Sequence, residues 1–65
     1  MSVAKVIEIL SEGKTIEEAV NAAVKEAAST VRNVKNVYIE NIQAIVEESK
    51  VVKYRVNTKI TFIVD

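Results

Sequence analysis

Basic side chains on the last predicted strand are the residues of this sequence best suited to bind a charged ligand. Lys53, Arg55 and Lys59 share one parity. Because successive side chains of a strand point to opposite faces, these cations lie on one face, with Lys35 expected nearby. Three interpretations stay open for this stripe: a solvated or ion-paired face, a site for a small anion such as a phosphate-bearing cofactor, and nucleic-acid binding. No aromatic platform alternates with the charges, which disfavours nucleic acid.

Residue types that carry catalysis are largely missing. The chain contains no His and no Cys, and no nucleophile-elbow motif surrounds any Ser. Glu47 and Glu48 are adjacent in a predicted turn, where they point apart and stay solvated. A single Gly cannot form a phosphate-binding loop, and the only Asp is Asp65, which is too few for a calcium loop. We therefore predict a non-enzymatic protein whose single chain holds no metal site.

The balance of charges and the apolar pattern exclude some classes of binding partner. Nine basic and nine acidic residues give a net charge of zero, whereas a general nucleic-acid binder normally carries a basic excess. No apolar run approaches the roughly 20 residues that span a membrane, and the N-terminus lacks a signal-peptide pattern. We expect a soluble cytoplasmic protein that binds neither nucleic acid nor membrane.

The charged stripe belongs to a long predicted hairpin over Val34–Val64. Its second arm, Val51–Val64, alternates almost without fault, and its apolar parity comprises Val52, Tyr54, Val56, Thr58, Ile60, Phe62 and Val64. Its first arm, Val34–Val46, changes parity near Glu40 and Asn41, which predicts a β-bulge. A four-residue polar turn, Glu47–Lys50, joins the arms.

The preceding residues predict one strand and one helix. Val3–Leu10 reads as a strand with apolar residues on both faces, and Ser11–Lys14 as a loop. Thr15 and Glu18 form a capping box, in which each side chain meets the other's backbone N–H. Apolar residues then recur every three or four positions, predicting a helix over Ile16–Arg32 that stops at a left-handed Asn33.

The element order is therefore β-α-β-β, which predicts a single α+β domain over residues 1–65. We favour an antiparallel three-stranded sheet wrapped around the helix, with the last strand in the middle. A mixed sheet with the first two strands adjacent is the alternative. Each hairpin arm reaches roughly 40–45 Å, whereas the helix covers about 25 Å. One helix cannot cover such a hairpin, so we predict a homo-oligomer.

The chain resembles the dodecins, a family of small flavin-binding proteins, over nearly its whole length. The resemblance rests on the element order, on the chain length, and on the segments Lys5–Leu10, Ala27–Val34 and Lys53–Phe62. It implies a hollow sphere of twelve identical subunits, with flavin (FMN or riboflavin) held in stacked pairs at subunit junctions for storage. It also implies two ligand-binding positions in this chain, Asn36 and Arg55.

Both positions differ from those of the flavin-binding members. A Trp that stacks on the flavin ring is replaced by Asn36, and a Gln that bonds the ring edge is replaced by Arg55. Asn has no π face, whereas a guanidinium can stack or pair with a phosphate. Two functions therefore stay open: storage of flavin or another phosphate-bearing cofactor, and a flavin-free assembly with a structural, ion-binding or protein-interaction role.

Overall fold

The structure, a computed structural model, describes residues 3–64. Its elements in chain order are β1 (Val3–Gly13), α1 (Ile16–Ala28), β2 (Val34–Glu47) and β3 (Lys50–Val64). The strands form one sheet in the order β1-β3-β2, and both pairs are antiparallel. The α+β prediction with the last strand in the middle is confirmed. Within these residues no helix is long and apolar enough to cross a membrane.

The core lies between α1 and the even-numbered face of β3. Val56, Thr58 and Ile60 are fully buried, and Phe62 is 9% exposed. The helix contributes Ala19, Ala23 and Ala27, all at most 1% exposed. Because Ala has only a methyl side chain, the helix backbone can lie close to the sheet. The hydroxyl of buried Thr58 donates to the carbonyl of Ile9 at 2.9 Å, so this polar core residue is satisfied.

The helix starts where the capping box predicts but ends earlier. The backbone N–H of Glu18 donates to Thr15 Oγ1 at 3.1 Å. The Glu18 carboxylate accepts from the N–H of Lys14 at 3.0 Å, one residue before the predicted donor, Thr15. The helix ends at Ala28 rather than Arg32, and the extension to Arg32 was wrong. Asn33 is left-handed as predicted, with φ of 59°.

β1 extends to Gly13, so the predicted loop Ser11–Lys14 was wrong for its first three residues. Ser11 donates from its hydroxyl to the carbonyl of Ala19 at 2.6 Å, which ties the strand to the helix. A Cβ built on Gly13 would lie 2.5 Å from the backbone nitrogen of Ala19. A polar and Gly-containing sequence resembles a loop, but here only a glycine permits such a close approach of strand and helix.

The hairpin carries three register irregularities, two with the extra residue on β2 and one with it on β3. The register shifts between Ile39 and Asn41, which confirms the predicted bulge, and also between Val34 and Asn36 and between Ile45 and Val46. The strands extend to Glu47 and Lys50, so the turn is tighter than the four residues predicted. Its two central residues, Glu48 and Ser49, have φ of 52° and 64°, as a tight two-residue hairpin turn requires.

The hairpin projects beyond the helix. The molecule is 51 Å long, whereas the 13-residue helix covers only about 20 Å. Among the described residues, eleven large apolar side chains are between 38% and 62% exposed, and seven of them belong to the hairpin. Those seven are Tyr38, Ile39, Ile42, Val46, Val51, Val52 and Val64.

Candidate functional site

The sheet face turned away from α1, here called the outer face, carries the basic stripe. Lys53, Arg55 and Lys59 lie on it, since the opposite parity of β3 faces the helix. Apolar side chains flank the charges: Val6 and Leu10 of β1 are 57% and 62% exposed. The outer face is therefore a mixed surface of cations, carboxylates and exposed apolar groups.

Two of the three cations share one carboxylate. Arg55 donates from Nε to Glu12 Oε2 at 2.8 Å, and its Nη2 lies 2.7 Å from the same oxygen. Lys53 Nζ lies 2.9 Å from Glu12 Oε1. Hydrogen bonds from Lys53 and then Arg55 stabilise the charged form and hold the pKa of the Glu12 carboxyl below its usual range. The Glu12 carboxylate thus pairs with both Lys53 and Arg55, and the three side chains together carry a net charge of +1.

The third cation, Lys59, pairs with Glu40 in the bulge of β2. Lys59 Nζ lies 3.3 Å from Glu40 Oε1, and Glu8 is the register partner of Lys59 on β1. The stripe is therefore ion-paired within one chain, as one of the three interpretations held. Lys35, expected near the stripe, lies instead in the first bulge, beside the pairs Val34–Phe62 and Asn36–Thr61.

The structure separates the two predicted ligand-binding residues within one chain. Asn36 is the register partner of Thr61, whereas Arg55 pairs with Gln43 on β2 and with Glu12 on β1. The two rungs are six positions apart along β3, which is about 20 Å at the usual rise of a strand. Both residues lie on the outer face, but one small ligand cannot contact both within a single chain.

Asn57 lies within this interval, two positions from Arg55 and four from Thr61. Its register partners are Leu10 and Asn41. Its side-chain oxygen is buried and has no hydrogen-bond partner among the described residues. Because buried acceptors in proteins are normally hydrogen-bonded, we expect water, a ligand or a second chain to donate to this oxygen.

An open cavity of about 320 Å³ lies at the opposite end of β3 from the Glu12 cluster. Its lining residues are Val31, Arg32, Asn33, Phe62, Ile63 and Val64. The residues from 29 to 33, which connect α1 to β2, form one wall. The carboxyl end of β3 forms the other.

Sequence reasoning missed both the shared carboxylate and this cavity. The sequence predicts a loop at Glu12, whereas its position opposite Arg55 follows once β1 extends to Gly13. The cavity depends on α1 stopping four residues early, for which the polar run Ser29-Thr30 was an available signal. Within residues 3–64, no group of three or more carboxylates could hold a metal ion.

The comparison with protein-family models gives a match over residues 3–65, to the model described as Dodecin. A comparison with curated proteins finds no significant match.

Solved structures of dodecins share this fold. A crystal structure of a protein from Thermus thermophilus superposes with a TM-score of 0.92 at 24% identity, covering 100% of this chain and 97% of that one. A tryptophan-to-phenylalanine variant of the T. thermophilus dodecin gives a TM-score of 0.91 at 24% identity, with coverage of 100% and 98%. Dodecin from Streptomyces coelicolor gives 0.89 at 22% identity, with coverage of 98% and 93%.

Proposed function

The chain belongs to the dodecin family, and from this premise we propose that it is a non-enzymatic, homo-oligomeric binding protein. In this proposal twelve subunits assemble, and flavin or another phosphate-bearing cofactor is sequestered at the junctions between them. Asn36 and Arg55 contribute to the junction site.

The exposed apolar surface supports assembly. Seven large apolar side chains of the hairpin are at least 38% exposed, including Val46 and Val51 near the turn and Tyr38 on the outer face. So much apolar surface on a 65-residue chain is typical of a protein that buries it against copies of itself. β1 and β2 also leave their outer backbone edges unpaired in the sheet order, which favours contact with another chain.

The observation that carries the junction site is the separation of Asn36 from Arg55. They lie on one face but about 20 Å apart along β3. A ligand that contacts both must therefore take Asn36 from one subunit and Arg55 from another. The buried side-chain oxygen of Asn57 lies between them and has no partner within residues 3–64, so it is a further acceptor for a neighbouring subunit or a ligand.

A flavin-free assembly is the second candidate, and a specific observation favours it. The chain contains no Trp, so neither Asn36 nor any neighbour can supply an indole platform. Arg55 is also engaged by two contacts to Glu12, and stacking on a ring would have to compete with that ion pair. In this candidate the particle has a structural, ion-binding or protein-interaction role.

Fluorescence titration of riboflavin separates the two candidates. Quenching that saturates near one riboflavin per subunit, together with flavin absorbance in the purified protein, supports cofactor storage. A colourless preparation that does not quench riboflavin or FMN at micromolar concentration refutes flavin binding and leaves the flavin-free assembly.

A further inference from the structure

The cavity between the end of α1 and the end of β3, here called the terminal cavity, combines an apolar wall with a cationic rim. Phe62 and Val31 are buried or half-buried in its wall, and Arg32 is exposed at its edge. Its volume of about 320 Å³ lies at the lower end of the range for small-molecule sites. The cavity is therefore large enough for a small organic group that carries one charged end.

Basic side chains outnumber acidic ones in the segments at or beside the terminal cavity. Residues 3–6, 29–37 and 60–64 contain Lys5, Arg32 and Lys35, and the acidic residue that follows directly on them is Asp65. Lys5 is the register partner of Phe62, and Lys35 lies in the bulge next to Val34, the other partner of Phe62. Lys5 and Lys35 therefore lie on the two strands that flank Phe62, and Arg32 lies in the cavity lining.

These cations differ from those of the basic stripe in having no ion pair within residues 3–64. Lys53, Arg55 and Lys59 are each paired to a carboxylate at 3.3 Å or less. Within residues 3–64, the cations at the terminal cavity are therefore less neutralised by ion pairs than Arg55 is. An unpaired cluster of cations favours an anion, and a guanidinium suits the oxygens of a phosphate in particular.

The backbone holds Arg32 in place without using its side chain. The N–H groups of Thr30 and Val31 both donate to the carbonyl of Ala27, at 3.1 and 2.9 Å, so Arg32 is not needed to cap the helix. The N–H of Ile63 donates to the carbonyl of Asn33 at 3.2 Å, which fixes the loop against β3. The rim of the cavity is thus positioned before any ligand arrives, which lowers the entropy cost of binding.

We propose that the terminal cavity binds the phosphate group of a small organic phosphate. Arg32 contacts the phosphate oxygens, Lys5 and Lys35 add attraction, and the wall formed by Val31, Phe62 and Val64 accepts the apolar body. This inference rests on the proposed function and deepens it, because it assigns the cofactor's phosphate to this cavity and not to Arg55.

Titration of the intact protein with phenyl phosphate, followed by its ³¹P chemical shift, tests the assignment. Wild-type protein should bind phenyl phosphate in a saturable manner, whereas phenol added at equal concentration should not displace it. Arg32→Gln should weaken binding roughly tenfold to a hundredfold, the range expected when a charged hydrogen-bonding partner is lost. Lys50→Gln removes one charge at the far end of the hairpin and should change the affinity by less than twofold.

Two results would overturn the assignment: absence of saturable binding to the wild-type protein, or a larger loss for Arg55→Gln than for Arg32→Gln. Circular dichroism and native mass show whether each variant has folded and assembled. If Arg32→Gln does not fold, Lys35→Gln takes its place, and we expect it to lower the affinity for phenyl phosphate severalfold. Riboflavin carries no phosphate, so its binding is scored independently. Failure of flavin storage and failure of the phosphate site are thus separate outcomes.

Discussion

Arg55 and Glu12 face each other across the β1–β3 pair, and two nitrogens of the guanidinium lie 2.7 and 2.8 Å from one carboxylate oxygen. Lys53 contacts the other oxygen at 2.9 Å. Because the side chains of Glu12 and Arg55 are 36% and 37% exposed, solvent screens the pairs and their stabilisation is modest. Their main consequence is positional: Arg55 is held against β1.

Replacing Glu12 by Gln should make the melting temperature less sensitive to acid. The folded-state pKa of Glu12 is lowered, so its contribution to stability is complete above the unfolded-state pKa and is lost as the pH falls through the folded-state value. The wild-type protein should therefore melt higher than E12Q at pH 7, and the difference should shrink by pH 3.

Thermal melts at one protein concentration measure this difference, and Glu47→Gln is the matched control. Glu47 is exposed in the hairpin and forms no ion pair within residues 3–64. A difference between E12Q and wild type that is as large at pH 3 as at pH 7 would contradict the assignment.

Replacing Gly13 by Ala should destabilise the fold, because the new Cβ would lie 2.5 Å from the backbone nitrogen of Ala19. Backbone atoms cannot move aside as a flexible side chain can, and overpacking of this kind costs about 1–3 kcal/mol. Chemical denaturation measures the change. Ala22→Ser adds one atom at an exposed helix position and should stay within about 0.5 kcal/mol. Equal stability of G13A and A22S would show that strand and helix can separate without cost.

Replacing Ser49 by Gly should stabilise the hairpin. Ser49 has φ of 64°, a left-handed conformation that costs non-glycine residues on the order of 1 kcal/mol. Ser29→Gly is the matched comparison, since Ser29 has φ of −74° and its hydroxyl donates to the carbonyl of Glu26 at 2.6 Å. We expect S49G to melt higher than wild type and S29G to melt lower. A melting temperature of S49G that is no higher than that of the wild-type protein would mean that the turn conformation is not strained.

Replacing Asn36 by Trp should strengthen riboflavin binding. The indole would supply the platform that the chain lacks, and a stacked ring contributes roughly 1–3 kcal/mol by analogy with base stacking. Tyr38→Trp places an indole two residues further along β2, and it should have little effect. Fluorescence quenching measures both variants. Tighter riboflavin binding by Y38W than by N36W would contradict a flavin contact at position 36 and place it at position 38.

The sequence predicted the features set by periodicity. Alternation along Val51–Val64 identified the buried face of β3, and the parity change near Glu40 located a bulge. Features that depend on tertiary contact were missed. Gly13 reads as a loop residue because its role, the close approach of Ala19, appears only once the helix packs on the sheet. Arg32 fits the helix period, but Ser29 and Thr30 redirect the chain first.

The candidate site was less predictable than the fold. Arg55 was identified through the family resemblance, yet its partner Glu12 lies 43 positions away and depends on the length of β1. The terminal cavity joins two segments that are far apart in sequence, residues 31–33 and 62–64, so no local pattern indicates it. Its basic residue, by contrast, is visible in the sequence as Arg32, at the end of the predicted helix.

Native mass spectrometry of the purified protein tests the central claim, assembly around a ligand-holding junction, most directly. The account predicts a particle of about 86 kDa, twelve times the 7.2 kDa chain, with additional mass where a cofactor is retained. A stable 7.2 kDa monomer at micromolar concentration would contradict it, because Asn36 and Arg55 could then never meet at one ligand.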